Sequence, residues 1–354
     1  MSKSAQTLRI RDADDLLGVV PHLLGFHPSE SLVIVLAEKG RVVVTARVNL
    51  SDVAPPGAVE DLLRRMFAQF PDGRAWLIAY GADAAATWAV LNRCDRFLPA
   101  QAIAGVLRVD GGRWWADSPD APPGVHAPSA SPLSRLARER GLPVCSSRAG
   151  LAKLVAPDPD VDPVLFARAE AWLAATACGR AELMRQALSG RGGDADDVAC
   201  ARLAVLAGDE DARDEALLAI DVADPAADVA LWRRVARRCL PSYQGHVLGL
   251  LGMAAWIAGD GALSVVCLER AESINPGLPL VEVLSTINEL MLPPRAWPGL
   301  RREVISARGE PVGAVRAGAG HGKRQGERRK EKAVGARRGR AGRAVTAHGA
   351  PAAG

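Results

Sequence analysis

The six cysteines of this chain stand singly, and no CxxC pair occurs in its 354 residues. None lies near a histidine at zinc-ligand spacing, so the sequence offers neither a zinc finger nor a dithiol redox motif. Several cysteines sit among apolar neighbours, where cysteine behaves as a small hydrophobe. Buried free thiols in a reducing compartment are therefore expected. The longest apolar run, Val247 to Ala258, falls short of the roughly 20 residues that a bilayer requires. The N-terminus is polar, without an apolar signal core. A cytoplasmic protein with no membrane partner is the expectation. GxxxxGK[ST], GxSxG and HExxH are all absent, and GxGxxG is missing from every strand–helix turn. P-loop nucleotide chemistry, serine hydrolysis of the α/β type and zincin chemistry lose their signatures with them. The expectation is no catalytic residue, no metal site and no cofactor.

Lysine is scarce too, at 6 against 38 arginines. With the abundant alanine and glycine, this reflects a GC-rich genome as much as any selected property. The formal charge of +4 is unevenly placed. From Arg308 onward there are 12 basic and 3 acidic residues, which leaves the preceding 307 residues at −5. Residues 306–354 have few large apolar groups and are predicted to be a disordered basic tail. Within it Arg328, Arg329, Lys330, Arg337, Arg338 and Arg340 form clusters that attract polyanions. No aromatic residues are interleaved, so weak nucleic-acid contact is expected there without base stacking.

The body divides by pattern. Asp12 to Leu24 reads as a helix with an acidic first turn. Leu32 to Ala37 and Arg41 to Leu50 read as strands joined by a short hairpin loop. Pro55-Pro56 is predicted to open a helix through Phe70. Ala75 to Tyr80 reads as a strand, Ala84 to Phe97 as a helix capped by Asp83, and Ala102 to Val109 as a strand. Asp110-Gly111-Gly112 turns that strand into Arg113–Ala116. Short β-α-β spacing favours parallel pairing. Residues 1–156 are thus an expected α/β (or α+β) domain with a mixed, partly parallel sheet. A Pro/Asp linker follows at 157–163. Residues 164–300 read as an all-α hairpin bundle. There Gly208 to Pro225 and Gly259 to Pro276 repeat one spacing, 51 residues apart. The second copy places Leu251, Gly252, Gly259, Leu268, Ala271 and Pro276 at tetratricopeptide-like positions.

Two places could hold a ligand. The turn after the first helix presents His27, Ser29 and Glu30. The carboxyl ends of the strands, where open sheets gather ligands, present Asn49, Asp52 and Asp83, with Tyr80, Gly81 and Asp110 nearby. Against this, His27, Ser29, Glu30 and Ser31 could simply bond the backbone of their own turn, and Asp52 and Asp83 could simply cap helices. Trp114 and Trp115 point to opposite faces of one strand, one toward the core and the other able to serve as a stacking platform.

The segment Pro21–Val35 (PHLLGFHPSESLVIV), Gly112-Arg113-Trp114-Trp115 and Ser146–Leu151 (SSRAGL) resemble an actinobacterial family of uncharacterised proteins, domain of unknown function 4192. Arg213-Asp214, Trp232, Pro241, Gly259–Leu263 (GDGAL), Arg270-Ala271, Pro276 and Pro294–Trp297 continue the resemblance. It implies an actinobacterial origin and an intracellular setting, and it supplies no established activity. Many members carry a cysteine-containing segment after the double tryptophan; Asp117 to Ser131 has none here. The leading expectation is a non-catalytic adaptor that offers a protein partner a groove between helical hairpins. The alternative is a small-ligand-binding protein or enzyme with its site at the strand ends.

Overall fold

Asp12 begins the first helix as its acidic sequence requires, accepting a hydrogen bond from the Asp15 N–H at 2.8 Å. That helix, α1 (Ala13–Leu24), stops at Gly25, whose φ of +73° is readily adopted only by glycine. The computed structural model describes residues 10, 12–125, 131–139, 144–189 and 195–309. The basic clusters from Arg328 to Arg340 lie outside the described residues. Among the described residues, those up to Trp297 belong to one compact unit and residues 298–309 to a second.

Six strands build one sheet: β1 (Ser31–Glu38), β2 (Arg41–Asn49), β3 (Arg74–Tyr80), β4 (Ile103–Asp110), β5 (Arg113–Ala116) and β6 (Gly124–Val125). Their order is β2-β1-β3-β4-β5-β6. The expected parallel pairing holds for β3 and β4. The strands before and after the first crossover, β2 and β3, do not pair. Antiparallel β1 lies between them and bonds both. The hairpin is closed locally first, and its crossover must then reach past β1. The crossover also differs from expectation. Pro55-Pro56 does not open a long helix. A four-residue helix α2 (Leu50–Val53) comes first, and α3 (Ala58–Gln69) starts after Gly57 at φ +87°. Arg93 holds the intervening turn, donating to the carbonyls of Val53, Ala54 and Pro55 at 2.9–3.0 Å and to both oxygens of Glu60. Arg93 lies on α4 (Ala84–Phe97).

Strand alternation divides the core. Leu32, Ile34, Leu36, Leu77 and Ala79 face α3 and α4, meeting Leu63, Met66, Leu91 and Cys94. On the other face lies α1, whose Leu17 and Pro21 come together with Tyr80 and Val109. Trp114 belongs to this second face. It packs over Gly124, where a Cβ would sit 2.2 Å from the indole, and donates to Asp14 at 3.0 Å. Trp115 packs against the α3/α4 core and lies 4.7 Å from the Arg108 guanidinium. Both indoles are thus only partly buried, and both are engaged in packing. The free edges are blunted differently. On one side β6 has only two residues. On the other, β2 carries a bulge at Val43, which is skipped as the register passes from Leu36↔Val44 to Ala37↔Val42, and arginines at positions 41 and 47.

Helices α5 (Pro132–Glu139) and α6 (Arg148–Lys153) follow the sheet, the latter capped by Ser147 as its sequence predicts. Then come α7 (Pro163–Ala175), α8 (Arg180–Ser189), α9 (Asp197–Ala207), α10 (Glu210–Leu218), α11 (Pro225–Arg237), α12 (Pro241–Ile257), α13 (Gly261–Ile274) and α14 (Pro279–Glu289). The apolar run of α12 is the buried axis of this bundle. Its Gly245, Gly249 and Gly252 seat α14 and its lead-in closely: added Cβ atoms would come within 3.0 Å of Leu278, 3.2 Å of Leu280 and 2.7 Å of Leu284. Both repeated spacings form helix–turn–helix hairpins, α9/α10 and α12/α13, each with an aspartate cap, Asp209 and Asp260. Their glycines differ, since Gly259 sits at φ +81° whereas Gly208 is helical at −72°. The Pro/Asp segment between sheet and bundle is tethered. Its Asp158 N–H donates to Arg237 O at 2.7 Å, and Asp158 and Asp160 pair with Arg237 and Arg238. Helix α15 (Trp297–Gly309) closes the described chain. Among the described residues no helix is long and apolar enough to cross a membrane.

Candidate functional site

Where the carboxyl ends of β3 and β4 stop, the turn leaving α1 folds over them. The space between is a cleft of about 290 Å³. Leu17, Pro21, Tyr80 and Val109 form its buried floor, and His27, Ser29 and Glu30 its exposed rim. Gly111 and Gly112, both at positive φ, turn β4 into β5 beside it, as Asp-Gly-Gly predicts.

Tyr80 ends β3 directly opposite Ser31, so the two side chains share the α1 face. Tyr80 is 9% exposed and Ser31 fully buried. Neither the phenol hydroxyl nor the Ser31 hydroxyl has a hydrogen-bond partner. Burial pushes the Tyr80 phenol well above the usual tyrosine range, so at neutral pH it keeps its proton and can donate. His27 is held by its backbone, whose N–H donates to Cys145 O at 3.2 Å, while Cys145 N–H returns a bond to Gly25 O at 2.8 Å. Partial burial, and secondarily His22, keeps the His27 imidazole below its ordinary pKa. His22 bonds Ser134 Oγ at 3.0 Å. Among the described residues no group of three His, Cys, Asp or Glu side chains could hold a metal ion.

Glu30 has a left-handed backbone, φ +41°, which is uncommon for a residue with a long side chain. Its Oε1 does not bond its own turn. It accepts the Ala82 N–H at 3.1 Å, across 52 residues of sequence. The Ala82 segment is gripped from the other side by Arg108, which is 5% exposed. Arg108 donates to Gly81 O at 3.1 Å, Ala82 O at 3.2 Å, Thr87 Oγ1 at 3.0 Å and Asp110 Oδ2 at 3.0 Å. The rim is therefore braced by two residues far apart in sequence.

The structure brings His27, Ser29 and Glu30 together at the cleft. It sets Asn49, Asp52 and Asp83 apart from the cleft lining. Asp83 caps α4, accepting Ala86 N–H at 3.0 Å. Asp52 does not cap; it lies inside α2 and accepts from Asn49 Nδ2 at 2.6 Å and Ser51 Oγ at 3.2 Å. Asn49 in turn accepts from Arg47, which also donates to Ser29 O at 3.3 Å. These two are links from β2 to the turn. Sequence reading passed over Arg108, although a lone arginine inside the otherwise apolar run of the strand IAGVLRVD was a visible signal. The spare Tyr80 hydroxyl had none, because pairing is a tertiary property.

No curated protein and no solved structure matches the chain. The family model described as Domain of unknown function (DUF4192) matches residues 14–295, the sheet and nearly the whole helical bundle, and the chain belongs to that family.

Proposed function

We propose that this protein binds a small molecule in the cleft at the carboxyl ends of β3 and β4. The observation that carries the reading is Tyr80, a residue of the cleft lining whose hydroxyl is buried with no partner among the described residues. Buried polar groups are nearly always hydrogen-bonded, and an orphan calls for an explanation. A ligand group docked there supplies the missing bond. The left-handed Glu30 at the rim supports the same reading, since backbone strain of this kind clusters at ligand clamps. The volume lies at the small end of ligand pockets and suits a metabolite rather than a polymer. This reading stands ahead of docking on the helical hairpins because cavity, strain and unpaired hydroxyl coincide in one place. All six cysteines are free, four of them buried, which suits a reducing compartment.

The test is a thermal-shift screen of metabolites against the full chain and its Tyr80→Phe variant. The reading predicts a compound that raises the melting temperature of the parent and raises it much less in the variant. Equal shifts in both proteins would remove Tyr80 from the site and the proposal with it.

A further inference from the structure

The charges around the cleft go further and select a class of ligand; the argument rests on the cleft being a binding site. Among the described residues lining it are two carboxylates, Glu30 and Asp110, and no lysine or arginine. Two guanidiniums bond lining residues from outside and both are engaged: Arg108, buried behind the rim, by two carbonyls, a hydroxyl and Asp110, and Arg47 by Asn49 and the Ser29 carbonyl. The neighbouring helix N-terminus, the other usual anchor for an anion, is already capped by the Asp83 carboxylate.

The carboxylates are also held in place. Glu30 Oε1 takes the Ala82 N–H, while its Oε2 lies 3.3 Å from where a Gly81 side chain would begin. Asp110 is fixed through one oxygen by Arg108 and is 38% exposed. Both therefore bracket the Gly81-Ala82 segment at the cleft mouth, each with an oxygen left over. The His27 imidazole is held toward its neutral form and adds no opposing positive charge at neutral pH. An anionic ligand such as a phosphate would meet like charge, with no lysine or arginine among the described lining residues to receive it. A positively charged group would find two preorganised acceptors.

We infer that the cleft takes a small organic cation, a primary amine or amidine. Its charged end sits at the Glu30 and Asp110 rim. Its apolar body lies on Leu17, Pro21 and Val109, and a hydrogen-bond acceptor on it meets the Tyr80 hydroxyl at the floor.

The experiment is titration calorimetry on the full chain with matched probes: aliphatic and aromatic amino alcohols, the corresponding neutral alcohols, and their phosphate esters. The amines are expected to bind, the esters to fail, and Glu30→Gln to weaken amine binding by about tenfold or more while leaving neutral alcohols unchanged. Glutamine keeps an acceptor for the Ala82 N–H, and a melting curve equal to that of the parent confirms the fold. Phosphate esters or neutral alcohols that bind as tightly as the amines, with Tyr80→Phe weakening them, would overturn the cation assignment and leave the cleft standing. Amine affinity unchanged in Glu30→Gln would overturn it as well. If none of the probes binds and the metabolite screen is also blank, the cleft reading itself falls.

Discussion

The helical region and the sheet region differ in where their unpaired buried polar groups sit. In the bundle, Gln244 is fully buried and uses both ends of its amide. Nε2 donates to Val155 O at 3.1 Å and to Ala236 O at 3.2 Å, and Oε1 accepts from Arg270 at 3.1 Å. Arg238 is shared among Asp158, Asp160 and Asp197. Asp209 and Asp260 close helix starts. Trp232 Nε1 and Asn275 Oδ1 are buried in the bundle with no partner among the described residues, and neither residue lines the cleft; at the strand ends of the sheet two hydroxyls on one face are unpaired, and Tyr80, which carries one of them, does line it. Bonds are left unmade in both regions, but among the described residues only the Tyr80 hydroxyl belongs to a residue that lines the cleft, and a broken rule at a cleft is where natural proteins place function.

The sharpest way to break this comparison is to remove a polar side chain from each region. Gln244→Ala should cost about 3 kcal/mol by urea denaturation, because it strands two buried carbonyls and a partly buried guanidinium N–H. A cost below about 1 kcal/mol would mean that the bundle's polar network is ornamental.

Next in size is an alkaline effect. Burial pushes the Cys94 and Cys239 thiols from an ordinary 9.0 up to about 12. Their folded pKa exceeds the unfolded one, so their stability is intact below pH 9 and drains away as pH rises toward 12. Cys267 and Tyr80 are raised in the same direction. Near pH 10 the loss is on the order of 1 kcal/mol per thiol. Denaturation midpoints followed from pH 8 to 11 should fall, and Cys94→Ala with Cys239→Ala should flatten the slope.

Smaller again is the capping contribution. Asp260→Ala removes the acceptor for the Leu263 N–H at 3.0 Å and should cost about 1 kcal/mol, read as a lower melting temperature.

Smallest is the outcome that separates the two regions. Tyr80→Phe deletes a hydroxyl that has no partner, so the unliganded protein should lose less than about 0.5 kcal/mol and could even gain stability. A loss comparable to that of Gln244→Ala would show that the Tyr80 hydroxyl is already bonded within the fold, and the contrast would vanish.

Much of this was legible in the chain. Asp12, Asp83 and Ser147 announced helix starts, and Asp-Gly-Gly announced a hairpin, because caps and turns are satisfied within three or four residues. His27, Ser29 and Glu30 were recognisable as a polar turn. Asp52 was misjudged because capping depends on backbone direction at Asn49, which residue type alone does not set. The two-residue β6 escaped notice inside a Pro/Ser-rich stretch. It exists because Gly124 leaves room for Trp114, which is ten residues away.

Local periodicity, capping and turn chemistry therefore determined most of the elements and their approximate ends. Only the tertiary structure decided that β1 would separate β2 from β3, that Arg108 would brace the Gly81-Ala82 carbonyls, and that Glu30 would reach the Ala82 N–H. It also decided that Tyr80 and Ser31 would face each other unpaired. The reason is one of range: a cap or a turn is satisfied within a few bonds, whereas strand order and leftover hydrogen-bonding capacity depend on which distant groups packing brings together.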